Sequence, residues 1–359
     1  MSETKEQSFA AVAKTFTVEK KPGSEVEISG EIPYEALESF EKAALKNIAG
    51  ELELPGFRRG HVPEDLALKQ VGELEVLQEA ANMYLRELYP AILEAHEIDA
   101  VGRPEIHITK LASKNPVGLH IHTSVYPVIA LPKNWKDVAA KVPAEPTVDV
   151  TDKDVEEALT SIRRAHAKAN AQVPVAPDAE LKDEELPPLD DAFAKSLGDF
   201  LGVTDLTEKL RANMVLEKGQ QARDKRRGKI IDALLEKTEV EVPKIFVDSE
   251  LEKIIGQMKD DVARFGLTFE GYLSQVGKTE EALKEEFTEQ AKKRAKLQMV
   301  LNKIAADEKI DAEKADVDEE MKHALEHFPE AKQDLLRIHI ETVLRNEQVL
   351  KMLEQLETK

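Results

Sequence analysis

From Thr204 to the C-terminus, apolar residues return every three or four positions, and a period near 3.6 sustained over that length commits the region to amphipathic helices. Leu206, Leu210 and Met214 begin one stripe, continued by Ile230, Ile231, Leu234 and Leu235, and Asp205 with Glu208 reads as a capping-box-like start. Val242-Pro243 breaks the chain and restarts it. A second stripe, Val247, Leu251, Ile254, Ile255, Met258, Val262 and Phe265, stops at Gly266. Thr279 is placed to cap a third, long helix through Leu283, Phe287, Ala291, Val300 and Ile304. Asp316 with Glu319 opens a fourth, closed by Pro329, and Leu335 to Leu356 gives a last one. Antiparallel helix pairs joined by short breaks are the economical arrangement for such a series.

The first 130 residues are patterned differently. SEVEISGEI, residues 24–32, alternates Val26, Ile28 and later Ile32 with polar residues, which predicts a strand with one buried face. Ala36, Leu37, Phe40, Ala44, Leu45 and Ile48 then recur at helical spacing. Leu66 and Leu68 predict a short helix, and Leu74, Leu77, Ala81, Leu85, Leu88 and Ile92 a long one. Ile106 and Ile108, then Leu119, Ile121, Thr123 and Val125, make two strand-like runs around the turn-rich 113–116. The expectation is an α+β domain with strands on one side and helices on the other.

Past Pro143, 148–152 leads into a helix with Val155, Leu159 and Ile162 on one face. Residues 178–191 are acidic, with Pro177, Pro187 and Pro188 close by, the composition of an extended solvated linker. The predicted organisation is an α+β domain with its extension over 1–147, a helix and linker over 148–188, and an all-α domain over 189–359.

Composition narrows the function. The chain has 359 residues, a net charge of −20 and no Cys. A field of that sign repels nucleic acid at long range, so any such contact has to rest on a local basic spot. The missing thiol removes disulfides, thiolate nucleophiles and Cys-based zinc sites. No stretch reaches a membrane span and the N-terminus has no apolar targeting core, which points to the cytoplasm and away from membranes.

Gly56-Phe57-Arg58-Arg59-Gly60-His61-Val62-Pro63 is the candidate binding element. Glycines permit backbone angles closed to other residues, Pro63 fixes the exit into the next helix, Phe57 offers an apolar anchor, and Arg58 and Arg59 supply forked donors. The octapeptide resembles the ribosome-docking signature of the trigger factor family of bacterial nascent-chain chaperones, Gly-Phe-Arg-x-Gly-Lys-x-Pro, and departs from it at His61, where the family usually has Lys. The resemblance covers the first 130 residues and resumes from Glu185 to near the end.

It implies docking through Gly56, Phe57, Arg58, Arg59, Gly60, His61 and Pro63 to large-subunit proteins at the exit tunnel, with ribosomal RNA a further contact. Docking would be weakened at His61, since imidazole is mostly neutral at pH 7. It also implies two helical arms and a body around an open crevice, unfolded or nascent chains as clients, and a role without cofactor; a homodimer of the free protein is left open. In the family an FKBP-like prolyl isomerase domain follows the helix after residue 150. Here only 13 residues separate Gln172 from Leu186, too few for such a domain. The reading is a short, ribosome-associated chaperone that is not an enzyme. Its rivals are a ribosome-independent holdase or assembly chaperone, a residual isomerase, and a metallohydrolase.

Met258, Phe265, Leu267, Phe269, Tyr272, Leu273, Phe287 and Met299 are the candidate client contacts, a chaperone needing apolar patches left accessible among charges. His323-Ala324-Leu325-Glu326-His327 matches an inverted zincin pattern, but five residues with two free positions recur easily on Glu-rich helices, and a solvated face is the expectation. His107, His120 and His122 are expected on an exposed sheet face, without a carboxylate at a matching position to complete a metal site. Lys218, Arg223, Lys225, Arg226, Arg227 and Lys229 form a basic run read as a solvated face, with RNA contact as the alternative.

Overall fold

The computed structural model describes residues 3–55, 57–58, 61–144, 149–169 and 186–356, and the side chains of residues 3–7 are not part of that description. The chain folds as two compact units, Met1–Ala130 with Thr238–Lys303, and Leu131–Lys237 with Ile304–Lys359.

The first unit opens with helix α1 (Glu3–Ala13), strands β1 (Thr17–Lys21) and β2 (Glu25–Ile32), then α2 (Tyr34–Glu51), α3 (Glu64–Val71) and α4 (Glu73–Ala95), and strands β3 (Ala100–Lys110) and β4 (Val117–Val125). The strands form one antiparallel sheet ordered β1-β2-β4-β3, with Ile28 opposite Ile121 and Ile32 opposite Val117. Period-two alternation sends Val26, Ile28, Ile32, Val117, Leu119 and Ile121 to one face, where they bury against Leu37 of α2 and Leu77, Leu85, Leu88 and Ile92 of α4. Gly30 sits where a Cβ would come within 2.5 Å of the Phe16 ring, so the strand can run past that ring only with glycine there.

The polar face carries the three histidines, His107 opposite His120. Two of them do meet carboxylates: His122 Nε2 lies 3.3 Å from Glu25 and His120 Nε2 3.8 Å from Glu27, both on β2. Alternation places these acids on the same face, a cross-strand relation that reading each strand alone did not reveal.

The second unit begins with α5 (Trp135–Ala140), α6 (Asp152–Ala169), α7 (Asp191–Ser196) and α8 (Val203–Lys237). Val155 and Leu159 of α6 bury against Ala194 and Leu206, with Phe200, Leu210 and Met214 around them. Thr151 and Asp154 cap α6 reciprocally: Thr151 N donates to Asp154 Oδ2 at 2.9 Å and Asp154 N donates to Thr151 Oγ1 at 3.2 Å. Lys218 of α8 reaches the same carboxylate at 3.1 Å. These bonds hold the Asp154 carboxyl down at about 2, the Thr151 backbone donor contributing most.

The start of α8 differs from expectation. Asp205 accepts from Leu201 N and pairs with Lys209, and Asp191 of α7 accepts from Val203 N at 2.9 Å, so a neighbouring helix supplies the cap in place of a local box with Glu208.

The remaining helices are α9 (Lys244–Arg264), α10 (Phe269–Val276), α11 (Glu280–Glu308), α12 (Lys314–His327) and α13 (Gln333–Gln355). Pro243 stands at the N-cap of α9, Gly266 turns the chain out of it at φ 73°, and Thr279 Oγ1 accepts from Ala282 N as α11 begins. Helix α12 starts two residues before Asp316 with Glu313 at its N-cap and no side-chain cap. An α+β domain followed by antiparallel helices is the observed architecture, as the sequence led one to expect.

Candidate docking loop and apolar groove

The docking octapeptide lies in the connection from α2 to α3. Of its residues, Gly56, Arg59 and Gly60 lie outside the described residues. The loop is pinned at its base: Leu52 N donates to Ile48 O at 2.9 Å and Phe57 N to Leu54 O at 3.0 Å. Val62 is buried with Ala49 and Ala67 beneath Leu45, Leu52 and Leu54. His61 N donates to Arg58 O at 2.9 Å, and both residues are exposed. Pro63 sits at the N-cap, one position before the first helical residue expected for it, and its carbonyl accepts from Leu66 and Ala67 at 3.0 Å.

Phe57 is 42% exposed, and Arg58 and His61 are exposed as well. Arg58 makes no ion pair with any described residue. A large aromatic left open beside a free guanidinium, on a loop anchored by a buried valine, is suited to a surface offering both an apolar recess and anionic groups.

Five of the eight candidate client residues come together elsewhere in the first unit. Met258, Phe265, Leu267, Tyr272 and Phe287, with Ile254 and Val262, line an open groove of about 480 Å³ among α9, α10 and α11, edged by Gln257, Asp261 and Gln290. Its floor is built by Leu251, Ile254 and Ala291, which lock α9 to α11. Phe265 stands 83% exposed at the turn after α9. Phe269 stacks on Tyr272 at 6.2 Å with Lys259 Nζ 4.9 Å from its ring centroid, and Leu273 is half-buried on α10. Met299 is buried, 3% exposed, and offers no surface; its spacing along α11 puts it on the inward face with Ala295.

Phe328, Leu335, Ile338 and Val343 were not among the candidate client contacts read from the sequence. In the second unit they are exposed at the α12–α13 turn and along α13, Phe328 by 67%. The signal was present: the inward stripe of α13 is Leu336, Ile340 and Leu344, and the missed residues fall off it.

Half of the basic run on α8 is a solvated face, with Arg223, Lys225 and Lys229 exposed, but Arg226 and Arg227 have a role that neither reading gave them. Arg227 makes a forked pair with Glu347 of α13, at 2.9 and 3.2 Å, and pairs with Glu354 through Nε, while Arg226 donates to Glu354 O at 2.7 Å and Val142 O at 3.3 Å. The side-chain bond to Glu354, reinforced by Glu347, raises the Arg227 pKa further. The two arginines clasp α8 to α13. His323 and His327 stack edge to face at 5.1 Å, and among the described residues no group of three or more His, Asp or Glu is arranged to hold a metal.

A loop presented by an α+β domain and an apolar groove on charged helices equip a protein for holding other polypeptides. Comparison with known proteins is specific. Residues 14–162 match the family model described as bacterial trigger factor protein, and residues 202–355 match that of the bacterial trigger factor C-terminus. The chain belongs to the trigger factor family of chaperones. It is 24% identical to the trigger factor of a Nocardioides species, covering 89% of this chain and 86% of that one. Against Bacillus pumilus trigger factor it is 25% identical over 86% and 91% of the two chains. A solved structure reported under the words "Promiscuous Substrate Recognition in Folding and Assembly Activities of the Trigger Factor Chaperone" shares the fold with a TM-score of 0.53 at 17% identity, over 94% of this chain and 99% of that one.

Proposed function

We propose that this chaperone docks on the ribosome through Phe57, Arg58, Arg59 and His61 and holds unfolded segments of emerging chains on the groove of α9–α11 and the exposed face of α12–α13, without prolyl isomerase activity. The observation that carries the reading is the pinned loop: Val62 fixes its base while Phe57 and Arg58 are left open. Apolar patches of this size contribute a few kcal/mol at roughly 25 cal/mol per Å². Weak holding of that kind suffices where docking raises the local concentration of client. The domain partition at 147 and 188, a cytoplasmic site of action and exit-tunnel proteins as docking partners belong to the same proposal; no described helix is long and apolar enough to cross a membrane.

Two observations support the missing isomerase. The family matches leave only residues 163–201 between them, and of these the described part is the end of α6, α7 and its flanking turns. The alignments to the Nocardioides and Bacillus relatives extend over 414 and 389 positions, more than the 359 residues here, so the relatives carry inserted sequence.

The test measures suppression of aggregation of a chemically unfolded client, alongside prolyl exchange in a short peptide. Phe265→Asp with Leu267→Ser should reduce holding several-fold while helicity persists, and the parent should leave prolyl exchange at its uncatalysed tens of seconds. Undiminished holding by the double variant would remove the groove from the mechanism, and turnover in the peptide assay would restore the isomerase.

A further inference from the structure

Helix α1 lies before the family match, which begins at residue 14, yet it is built into the α+β core. Phe9, 7% exposed, and Ala13 are buried, with Val12 partly so. The Phe9 ring meets Tyr84 of α4 at 4.8 Å and Phe40 of α2 edge-on at 6.5 Å, and Phe40 and Tyr84 pack edge to face at 5.3 Å. His96 Nε2, 3.2 Å from Ala13 O, satisfies one carbonyl left open at the end of α1.

Three features make this helix removable. At 11 residues it is too short to hold its shape in water on helical propensity alone. Its described apolar anchor is one ring, one valine and one alanine. Tyr84, only 2% exposed, keeps its hydroxyl buried without a hydrogen-bond partner among the described residues, and hydration on opening relieves that cost. Lifting α1 uncovers Phe40 and Tyr84 along neighbouring helices, a trough whose present occupant is a short helix carrying an aromatic residue with small apolar residues three and four positions later.

We propose that α1 is an internal stand-in for a client, a strap over a helix-binding trough of α2 and α4 that opens to admit an amphipathic helical segment with an aromatic side chain in the place of Phe9. The class of occupant rests on the client-holding reading; the strap does not. With α1 closed in most molecules, the affinity of the trough for an outside segment is lowered by the fraction that is open.

The experiment is hydrogen exchange of residues 8–13 in the full chain, with and without a 20-residue amphipathic helical peptide bearing Phe and Leu on one face. Exchange there should rise as the peptide is added. Phe9→Ala, which weakens the strap and leaves the trough intact, should tighten peptide binding about tenfold, as expected if the open fraction grows by that factor. Phe9→Leu, a milder change that protects against misfolding of the first variant, should shift binding the same way by less. Phe265→Asp, in the α9–α11 groove, should leave the exchange response in place. Peptide binding with exchange of residues 8–13 unchanged and affinity indifferent to Phe9 would overturn the strap and leave the groove standing. No peptide binding at all would overturn both.

Discussion

At the scale of single residues, the candidate docking loop separates a buried anchor from the exposed side chains proposed to bind. Val62 is buried and holds the loop's shape, whereas Phe57, Arg58 and His61 project from it. Surface positions of this kind change stability by about 0.5 kcal/mol or less when replaced. His61 stands where the family pattern has Lys, and on an exposed turn beside Arg58 a permanent charge adds to attraction for an anionic surface. His61→Lys should therefore tighten ribosome binding at pH 7.5 and steepen its loss with salt, with the melting temperature unchanged; equilibrium binding at three ionic strengths checks it. A neutral substitution would mean that position 61 faces away from the ribosome. The octapeptide was legible because its residue types, glycines around an aromatic and two arginines, are unusual together. Its described anchoring was not, since Val62 looks like any loop valine until Ala49 and Ala67 are seen around it.

At the scale of elements, long helices declared themselves, while some short or edge pieces, β1 and α10 among them, did not. The stripes of α4, α9 and α13 each bury apolar residues over many turns, so periodicity alone found them. By contrast β1, TVEKK, has a single apolar residue between polar ones and leaves no periodic trace, while α10 repeats Phe269, Tyr272, Leu273 and Val276 at helical spacing over only two turns and buries none of them. The start of α8 was misread because Asp191 on the preceding helix supplies its cap, whereas the local Thr279 cap of α11 was legible. The same non-locality hid the clasp of α8 to α13. A basic run on one helix reads as solvated until the acids on another are known to face it.

Two predictions belong to this scale. Arg227→Ala removes the guanidinium shared by Glu347 and Glu354 and leaves Glu347 with the longer 3.9 Å pair to Lys351. It should cost between the roughly 1 kcal/mol of an exposed pair and the roughly 3 kcal/mol of a buried one, seen as faster hydrogen exchange over residues 340–355. Asp154 has a folded pKa of about 2, below its ordinary value of 3.8, so the stability it lends is present above pH 4 and is lost as pH falls toward 2. Asp154→Asn should lower the melting temperature at pH 7, with the difference from the parent shrinking between pH 4 and pH 2. A difference constant across that window would show that the carboxylate is not what ties α6 to α8.

At the scale of the whole molecule, the chain is a member of the trigger factor family, and the proposal gives it docking and holding without an isomerase. Its charge of −20 keeps the apolar groove and the α13 face soluble and opposes general attraction to RNA, so attachment has to be local. The two compact units interleave along the sequence, Thr238–Lys303 folding with the N-terminal α+β domain, which periodicity cannot show because it reports which face is buried and not against what. The central claim is that one small loop attaches this protein to the ribosome. Co-sedimentation with purified ribosomes at rising salt, comparing the parent with the Phe57→Ala, Arg58→Ala, Arg59→Ala triple variant, tests it directly. The account predicts salt-sensitive binding by the parent, loss of most of it in the variant, and matching circular dichroism for the two proteins; equal co-sedimentation of both would contradict it.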